Sequence, residues 1–284
     1  MSAPVAPVIP ADPRIRLARL PQLRRWITVP LLLVVAILLL GFGVKLIPGL
    51  AATEFRFDQL LSRHHNVVGD AIALTINTVL SPPGIILILL CLFLFLLFVR
   101  RAPVTAFAVC SVAAVGWLSS EVFKLLVAEP RPDVHLLQHP LVSTDGAGSF
   151  PSGHSTFAVA FAIAIYFLAR GTRWSLVAAI GGAGFAAVVA GSRLYLGVHY
   201  PSDVLGSFLV ATAAIGFYTG VWNRYGTRVL NRVPLLARVG PVPPNSPVPP
   251  TAQSRPTAQF RPTAQSRGRR STARSAPADS DARR

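Results

Sequence analysis

Three short clusters of cationic, hydroxyl and imidazole side chains lie at the ends of long apolar stretches. The first, residues 124–132, opens on a lysine and closes on Arg-Pro; the second, residues 151–154, reads Pro-Ser-Gly-His. The third, residues 192–203, begins with Ser-Arg and ends with a histidine followed four residues later by an aspartate. Charged and hydrogen-bonding groups beside membrane-length apolar segments are costly, so each indicates a function by default. These residue types suit the transfer of a phosphoryl group.

Cations at fixed positions can stabilise the charge that spreads over three oxygens of a transferring phosphoryl group. Arg131 and Arg193 can each offer a planar fork to two oxygens, and Lys124 a compact point charge. Ser152 and Gly153 open an apolar helix, so its free backbone amides and the Ser152 hydroxyl are predicted to face the same anion. Gly153 has no side chain and allows close approach. These five residues are the predicted phosphate-binding set.

The two histidines divide the chemistry of displacement. His199 lies four residues before Asp203, near enough for the carboxylate to fix one imidazole nitrogen and raise the nucleophilicity of the other. His199 is therefore the predicted nucleophile. His154, beside the phosphate cradle, is predicted to protonate the departing oxygen and later to activate water against a phosphohistidine. The scheme requires no metal and no cofactor.

Long uncharged runs must position these clusters, because about 20 apolar helical residues cross the roughly 30 Å hydrocarbon core of a bilayer. Six spans are predicted, at residues 26–47, 83–99, 102–127, 153–169, 174–192 and 203–222. The first could instead be a cleaved signal peptide, but the 25 residues before it favour an uncleaved span. Residues 67–80 are apolar but short and contain Asp70 and Asn77, which predicts an amphipathic helix at the interface or against the bundle. The predicted fold is an all-α, six-helix membrane bundle with the three clusters at one membrane face.

The placement of arginines predicts the orientation, because short loops rich in Lys and Arg stay in the cytoplasm. Arginines precede the first span and separate the second span from the third and the fourth from the fifth. The alternate connections carry carboxylates, namely Glu54, Asp58, Glu129, Asp133 and Asp145. Both termini are therefore predicted to be cytoplasmic at the plasma membrane, with the three clusters on the extracytoplasmic face.

Composition agrees with a membrane protein and isolates a tail. Of 284 residues, 52% are hydrophobic and 13% charged, against about 25% charged in a typical soluble domain. The net charge is +16, and most of it comes from residues 224–284, which contain 12 arginines and two aspartates. We predict a basic cytoplasmic segment at 1–25, a membrane domain at 26–223 and a disordered tail at 224–284, in which PTAQxR occurs three times. The tail is either a solvated segment or one attracted to anionic inner-leaflet lipid, and nucleic acid is not expected as a partner.

The three clusters resemble the three signature motifs of the type 2 phosphatidic acid phosphatase superfamily, in its integral-membrane lipid phosphatase branch. Those motifs read KxxxxxxRP, PSGH and SRxxxxxHxxxD, and every specified position is matched between Lys124 and Asp203. The resemblance implies a metal-independent, six-helix enzyme that removes phosphate from lipid phosphates or diphosphates. It assigns the same roles to the eight residues named above.

Three other polar residues near the clusters, Glu121, His135 and His139, are interpreted as supporting or loop residues. Glu121 lies one helical turn before Lys124 and is predicted to hold it by an i,i+3 pair. His135 and His139 have i,i+4 spacing, but without an evident third ligand they are interpreted as loop residues beside the site.

The favoured hypothesis is hydrolysis of a polyprenyl diphosphate, such as undecaprenyl diphosphate, to its monophosphate. Phosphatidic acid and phosphatidylglycerol phosphate are alternative substrates with the same terminal phosphate. A lipid phosphotransferase using the same site, and a non-catalytic membrane protein whose tail does the work, remain as rivals. The oligomeric state is open.

Overall fold

The regular elements of the protein are helical throughout residues 12–143 and 148–243, which are the residues that the structure, a computed structural model, describes. A π-helical turn, Phe95–Val99, continues α4, and 3-10 turns cover Pro13–Ala18 and Val134–Leu136. The α-helices are α1 (Thr28–Leu46), α2 (Leu50–Ser62), α3 (Val67–Val79), α4 (Pro82–Leu94), α5 (Pro103–Val127), α6 (Gly153–Ala169), α7 (Ser175–Tyr195), α8 (Pro201–Leu230) and α9 (Pro234–Val239). The all-α prediction is confirmed.

Each of the six predicted spans is a helix. Within the described part of the chain, five are long and apolar enough to cross a membrane, namely α1, α4 with its π-helical turn, α5, α7 and α8. The predicted fourth span, α6, has 17 residues and packs against α5, α7 and α8. The protein is therefore a membrane protein in which the shortest of the six helices lies among its neighbours.

Small residues bring the central helices close together. α5, α6 and α8 pack against one another, α7 covers α6, and α1 covers α8. A Cβ atom added to Gly116 of α5 would lie 2.5 Å from the Cβ of Ala160 in α6, so the two backbones meet where neither carries a larger side chain. Close packing of small residues is what drives helix association in lipid. It fixes α5 relative to α6, the helices that carry the first two clusters.

The basic N-terminal segment is packed against the bundle. Leu17, Ala18 and Leu20 are buried in the main core. Trp222 donates its indole N–H to the Leu17 carbonyl at 3.0 Å, and Asn223 both accepts from and donates to the Leu20 backbone. The segment therefore contacts the last third of α8, far from the first turn of that helix, which carries Asp203.

The predicted tail boundary at residue 224 falls inside α8. α8 continues to Leu230, and Trp222, Gly226 and Leu230 are buried at four-residue spacing, which places them on one helix face. Leu236 of α9 is buried in the same core. The helical unit extends to α9 because these widely spaced apolar positions pack inward despite the arginines between them. The PTAQxR repeats lie outside the described residues.

Helices α2 and α3 lie between the first two long spans. The amphipathic helix predicted at residues 67–80 is α3, and it packs against α7. Helix α2 was not predicted, because its acidic residues were interpreted as marks of an outer loop. Its Asp58 is fully buried, and its Glu54 accepts from the Ser202 hydroxyl at 2.6 Å. α2 is thereby joined to the first turn of α8, which carries Asp203.

Candidate active site

A cavity of about 200 Å³ lies where the three clusters meet. Six of the eight predicted site residues line it, namely Lys124, Arg131, Gly153, His154, Arg193 and His199. Its wall is completed by residues from α3, α4 and α5, among them Asn77, Leu80, Ile85 and Trp117. The cavity is thus cationic on one side and apolar on another.

The first cluster occupies the end of α5 and the turn that follows. Lys124 Nζ lies 2.7 Å from Glu121 Oε1, which confirms the predicted i,i+3 pair. Helix α5 ends at Val127 and is capped by Ala128, whose left-handed conformation (φ 47°) allows its N–H to reach the Lys124 carbonyl. The chain then turns so that Arg131 also lines the cavity. Burial lowers the pKa of Arg131, while Asp203 and Glu121 oppose that effect.

The second cluster forms the N-terminus of α6. Ser152 is the N-cap, and its hydroxyl oxygen accepts the Ser155 N–H at 3.4 Å. Ser152 is fully buried and lies behind the cavity wall, whereas Gly153 lines it. A Cβ atom on Gly153 would be 3.1 Å from Lys124 Nζ, so the absence of a side chain lets the cation approach the helix start. Cation and helix N-terminus therefore converge, as an anion site requires.

The third cluster supplies a buried histidine–aspartate pair. His199 Nδ1 lies 3.1 Å from Asp203 Oδ2, and both residues are almost fully shielded from solvent. Asp203 is the N3 residue of α8, where its Oδ2 also accepts the Tyr200 N–H and the Ser149 hydroxyl. This bond assigns the imidazole proton to Nδ1 and leaves the lone pair on Nε2. Burial lowers the pKa of His199; Asp203 opposes this shift, and the nearby arginines add to it.

Asn77 of α3, a residue not predicted to belong to the site, accepts a hydrogen bond from Arg193, the third cation of the phosphate-binding set. Arg193 is 1% exposed. It donates from Nη1 to Asn77 Oδ1 at 2.8 Å and from Nε to Ser192 Oγ at 3.1 Å. The Asn77 carbonyl also lies 3.4 Å from His154 Nε2. Helix α3 therefore contacts both an arginine of the phosphate-binding set and the predicted acid/base.

A group of carboxylates behind the dyad was also missed as part of the site. Asp58 and Glu129 are buried, and neither has a donor to its carboxylate oxygens among the described residues. Burial, with added repulsion from Asp203 and Glu54, raises the pKa of Asp58 and that of Glu129 to about 8. Three of the carboxylates that marked outer loops in the sequence, Glu54, Asp58 and Glu129, thus lie in one electrostatically coupled cluster with the orienting aspartate.

The paired loop histidines, His135 and His139, do not line the cavity. His135 lies in the 3-10 turn after Asp133, and His139 donates its backbone N–H to Ser62 Oγ at 3.0 Å. In residues 12–143 and 148–243, no three His, Cys, Asp or Glu side chains are grouped as a metal ion would need. Their interpretation as loop residues beside the site is consistent with this placement.

Comparison with known proteins gives a consistent family. The model of the PAP2 superfamily matches residues 104–226, which contain all three clusters. Undecaprenyl-diphosphatase BcrC of Bacillus subtilis is 38% identical over 176 residues, 62% of this chain and 84% of that protein. Phosphatidylglycerophosphatase B of Bacillus subtilis is 37% identical over 97 residues, 32% of this chain and 45% of that protein.

The fold has a solved counterpart. The crystal structure of a transmembrane PAP2 type phosphatidylglycerolphosphate phosphatase from Bacillus subtilis superposes with a TM-score of 0.57 at 22% identity. The match covers 69% of this chain and 96% of that structure. Fold and site together define a helical membrane phosphatase. The chain belongs to the PAP2 superfamily and is a hydrolase of lipid phosphates.

Proposed function

We propose that the protein removes the terminal phosphate of a polyprenyl diphosphate, such as undecaprenyl diphosphate, through a phosphohistidine at His199. The observation that carries this proposal is the single cavity in which three cations, two histidines and a helix N-terminus meet. The choice of lipid is supported by the similarity to a protein named undecaprenyl-diphosphatase over most of that protein's length.

In the first chemical step, His199 Nε2 forms a bond to the terminal phosphorus while the bond from phosphorus to the bridging oxygen breaks. His154 gives its proton to that departing oxygen, and the lipid leaves as a monophosphate. Lys124, Arg131 and Arg193, with the backbone amides at the start of α6 beside Gly153, stabilise the charge on the transferring group, while Ser152, which does not line the cavity, acts as the N-cap of that helix. Asp203 keeps the His199 ring oriented and stabilises the imidazolium that develops.

In the second step, His154 takes a proton from water as the water oxygen attacks phosphorus. The bond between phosphorus and His199 breaks, and inorganic phosphate leaves. Attack on the same intermediate by a lipid hydroxyl would instead give phosphotransfer. The ratio of released phosphate to transferred phosphate separates these two outcomes.

The substrate is tested with detergent-purified protein on a panel of lipids. We expect phosphate release from undecaprenyl diphosphate at a kcat/KM at least about tenfold above that for phosphatidylglycerol phosphate and phosphatidic acid, a difference of about 1.4 kcal/mol in transition-state binding. His199→Ala is the matched control and should release none. Preference for phosphatidylglycerol phosphate would instead favour the activity named for the second relative.

We also propose that the cavity faces the extracytoplasmic side, with both described ends of the helical unit in the cytoplasm. Single cysteines introduced at His135 and at Arg101, in a chain lacking Cys91 and Cys110, test this. A membrane-impermeant thiol reagent applied to intact cells should label the first and spare the second. The reverse labelling would invert the topology.

A further inference from the structure

A second buried carboxylic acid stands beside the orienting aspartate of the dyad. Glu129 is 1% exposed, and Asp203 is fully buried. Within the described residues, both carboxylate oxygens of Glu129 and Oδ1 of Asp203 are shielded from solvent and lack a hydrogen-bond donor. Buried acceptors without donors are costly, and two adjacent anions more so. The arrangement is therefore incomplete when both groups are ionised.

The two oxygens of Asp203 differ in their surroundings. Oδ2 accepts from the Tyr200 N–H at 2.9 Å and from the Ser149 hydroxyl, and it lies 3.1 Å from His199 Nδ1. Asp203 raises the pKa of Glu129 both by repulsion and as a hydrogen-bond acceptor for its protonated form, which indicates that the two carboxyl groups are close neighbours. A proton on Glu129 would turn it into a donor, and Oδ1 is the Asp203 acceptor left without one.

We propose that Glu129 is held as a neutral carboxylic acid that donates its proton to Asp203 Oδ1, and so acts as a positioning residue for the His199–Asp203 dyad. This inference rests on the proposed role of His199 as nucleophile. A donor on Oδ1 fixes the plane of the Asp203 carboxylate so that Oδ2 remains aimed at His199 Nδ1. It also withdraws charge from Asp203, so the imidazole proton stays on Nδ1 and the lone pair on Nε2.

The backbone around Glu129 supports the same geometry. The Glu129 carbonyl accepts the N–H groups of Gly148 at 2.9 Å and Ser149 at 3.0 Å. Ser149 in turn donates its hydroxyl to Asp203. In this arrangement Glu129 holds Asp203 through its side chain. Through its main-chain carbonyl it also positions Ser149, whose hydroxyl is a second donor to Asp203. Arg131, the arginine of the KxxxxxxRP motif, follows Glu129 by two residues and lines the cavity.

The groups facing Glu129 favour its protonated form. Asp203 and Glu54 repel a negative charge on Glu129. The Tyr200 phenol faces the same carboxylates, because Glu129 and Asp203 both raise the pKa of Tyr200. Lys45 opposes them, but its ammonium group is already hydrogen-bonded to the Val127 carbonyl. Burial together with these carboxylates raises the pKa of Glu129 to about 8. Glu129 is therefore neutral at pH 7 and ionises as pH rises through about 8.

The test compares Glu129→Gln with Glu129→Leu in the full chain. Glutamine keeps a donor for Asp203, so we expect its kcat within about threefold of the unmodified protein. Leucine has a similar size and no donor, so its kcat should fall about 10- to 100-fold, the usual effect of leaving a buried charged acceptor unpaired, while KM changes less than twofold. Asp133→Asn, an exposed carboxyl in the same loop, is the matched control and should change neither.

Two further measurements use the glutamine variant and do not need the leucine variant. The alkaline limb of the pH–kcat profile should move to higher pH in Glu129→Gln, because the amide cannot ionise. The infrared spectrum at pH 7 should lose a protonated-carboxyl band in Glu129→Gln and keep it in Asp133→Asn. The proposal is overturned by loss of a carboxylate band instead, by an unmoved alkaline limb, or by equal kcat values for the glutamine and leucine variants.

The infrared result does not depend on any lipid substrate. A protein that loses a protonated-carboxyl band in Glu129→Gln but hydrolyses no lipid would therefore contradict the proposed function while supporting the protonation state of Glu129. An active protein whose protonated-carboxyl band is unchanged in Glu129→Gln would contradict the inference and leave the lipid phosphatase activity intact.

Discussion

The chemistry of His199 depends on the form of its imidazole ring. Burial lowers the pKa of His199, the arginines at 131 and 193 lower it further, and the hydrogen bond to Asp203 only partly opposes these effects. A lowered pKa means that the ring stays neutral, with a free Nε2 lone pair, at a pH where an exposed histidine would be protonated. The ordinary value for histidine is about 6.5.

This shift predicts the acid side of the pH–rate profile. As pH falls, kcat/KM should remain high through about 6.5 and decline only below it, because the free enzyme loses the neutral nucleophile at the lowered pKa. Steady-state rates between pH 4 and 9 with a constant buffer ionic strength measure this. A decline that begins above pH 7 would show that His199 is not held neutral by its surroundings.

Asn77 is predicted to position Arg193 for the phosphate. Asn77→Ala removes the acceptor at 2.8 Å from a nearly fully buried guanidinium, which should cost about 1.5–3 kcal/mol of interaction. We expect kcat/KM to fall about 10- to 100-fold. Thr78→Ala is the matched control, because Thr78 is exposed and its hydroxyl bonds within α3 to the Leu74 carbonyl. Equal activity of both variants would remove Asn77 from the site.

The contrast between these residues shows what the sequence could predict at this scale. His199 directly precedes Tyr200, the N-cap of α8, and Asp203 is the N3 residue of that helix, so their four-residue spacing brings them together at one helix start. Asn77 and Arg193 are separated by 116 residues, and their contact depends on how α3 folds against α7. The negative charge of Glu129 indicated an outer loop, but nothing in the sequence indicated that this carboxyl group is buried. Local spacing was sufficient for the dyad and insufficient for its supports.

At the scale of elements, the cavity depends on the close approach of α5 and α6. Gly116→Ala would place a Cβ atom 2.5 Å from the Ala160 Cβ, so the helices must separate. Such overpacking costs about 1–3 kcal/mol. We expect a lower unfolding temperature in detergent and reduced kcat, because Lys124 and His154 lie on the two displaced helices.

Gly181→Ala in α7 is the control for this variant. Nothing lies within 4 Å of a Cβ atom at Gly181, so the change should stabilise its helix slightly, by about 0.5–1 kcal/mol. If Gly116→Ala and Gly181→Ala have the same unfolding temperature, the packing of α5 on α6 does not limit stability.

The elements also differ in how readily the sequence revealed them. Long apolar runs predicted the helices that became α1, α4, α5, α7 and α8. Helix α2 has no such run, and its buried Asp58 faces the protein, so hydropathy gave no signal for it. The end of α8 was missed for a related reason, because three core positions are spread over nine residues rich in polar groups.

At the scale of the whole molecule, the helical unit and the repeat-bearing tail are predicted to have separate roles. Removal of residues 244–284 leaves α8 and α9 intact, so turnover should stay within about twofold. Removal of residues 224–284 deletes Leu230 and Leu236 from the main core, and each lost leucine costs about 2–5 kcal/mol. We therefore expect the shorter chain to unfold or aggregate in detergent.

Phosphate release and unfolding temperature of the two truncated chains measure this difference. An inactive but folded protein ending at residue 243 would give the tail a direct part in the activity. It would then favour the rival in which the tail does the work. Full activity in a chain ending at residue 223 would show that the core positions of α8 and α9 are dispensable.

The most direct test of the central claim is to detect the covalent intermediate. The protein is mixed with a lipid diphosphate labelled in its terminal phosphate, quenched within milliseconds in base, digested and analysed by mass spectrometry. We predict a base-stable, acid-labile phosphoryl group on His199, formed and lost at rates compatible with kcat, and no labelled histidine in His199→Ala. Steady release of labelled phosphate without any label on His199, or labelling that persists in His199→Ala, would contradict the account.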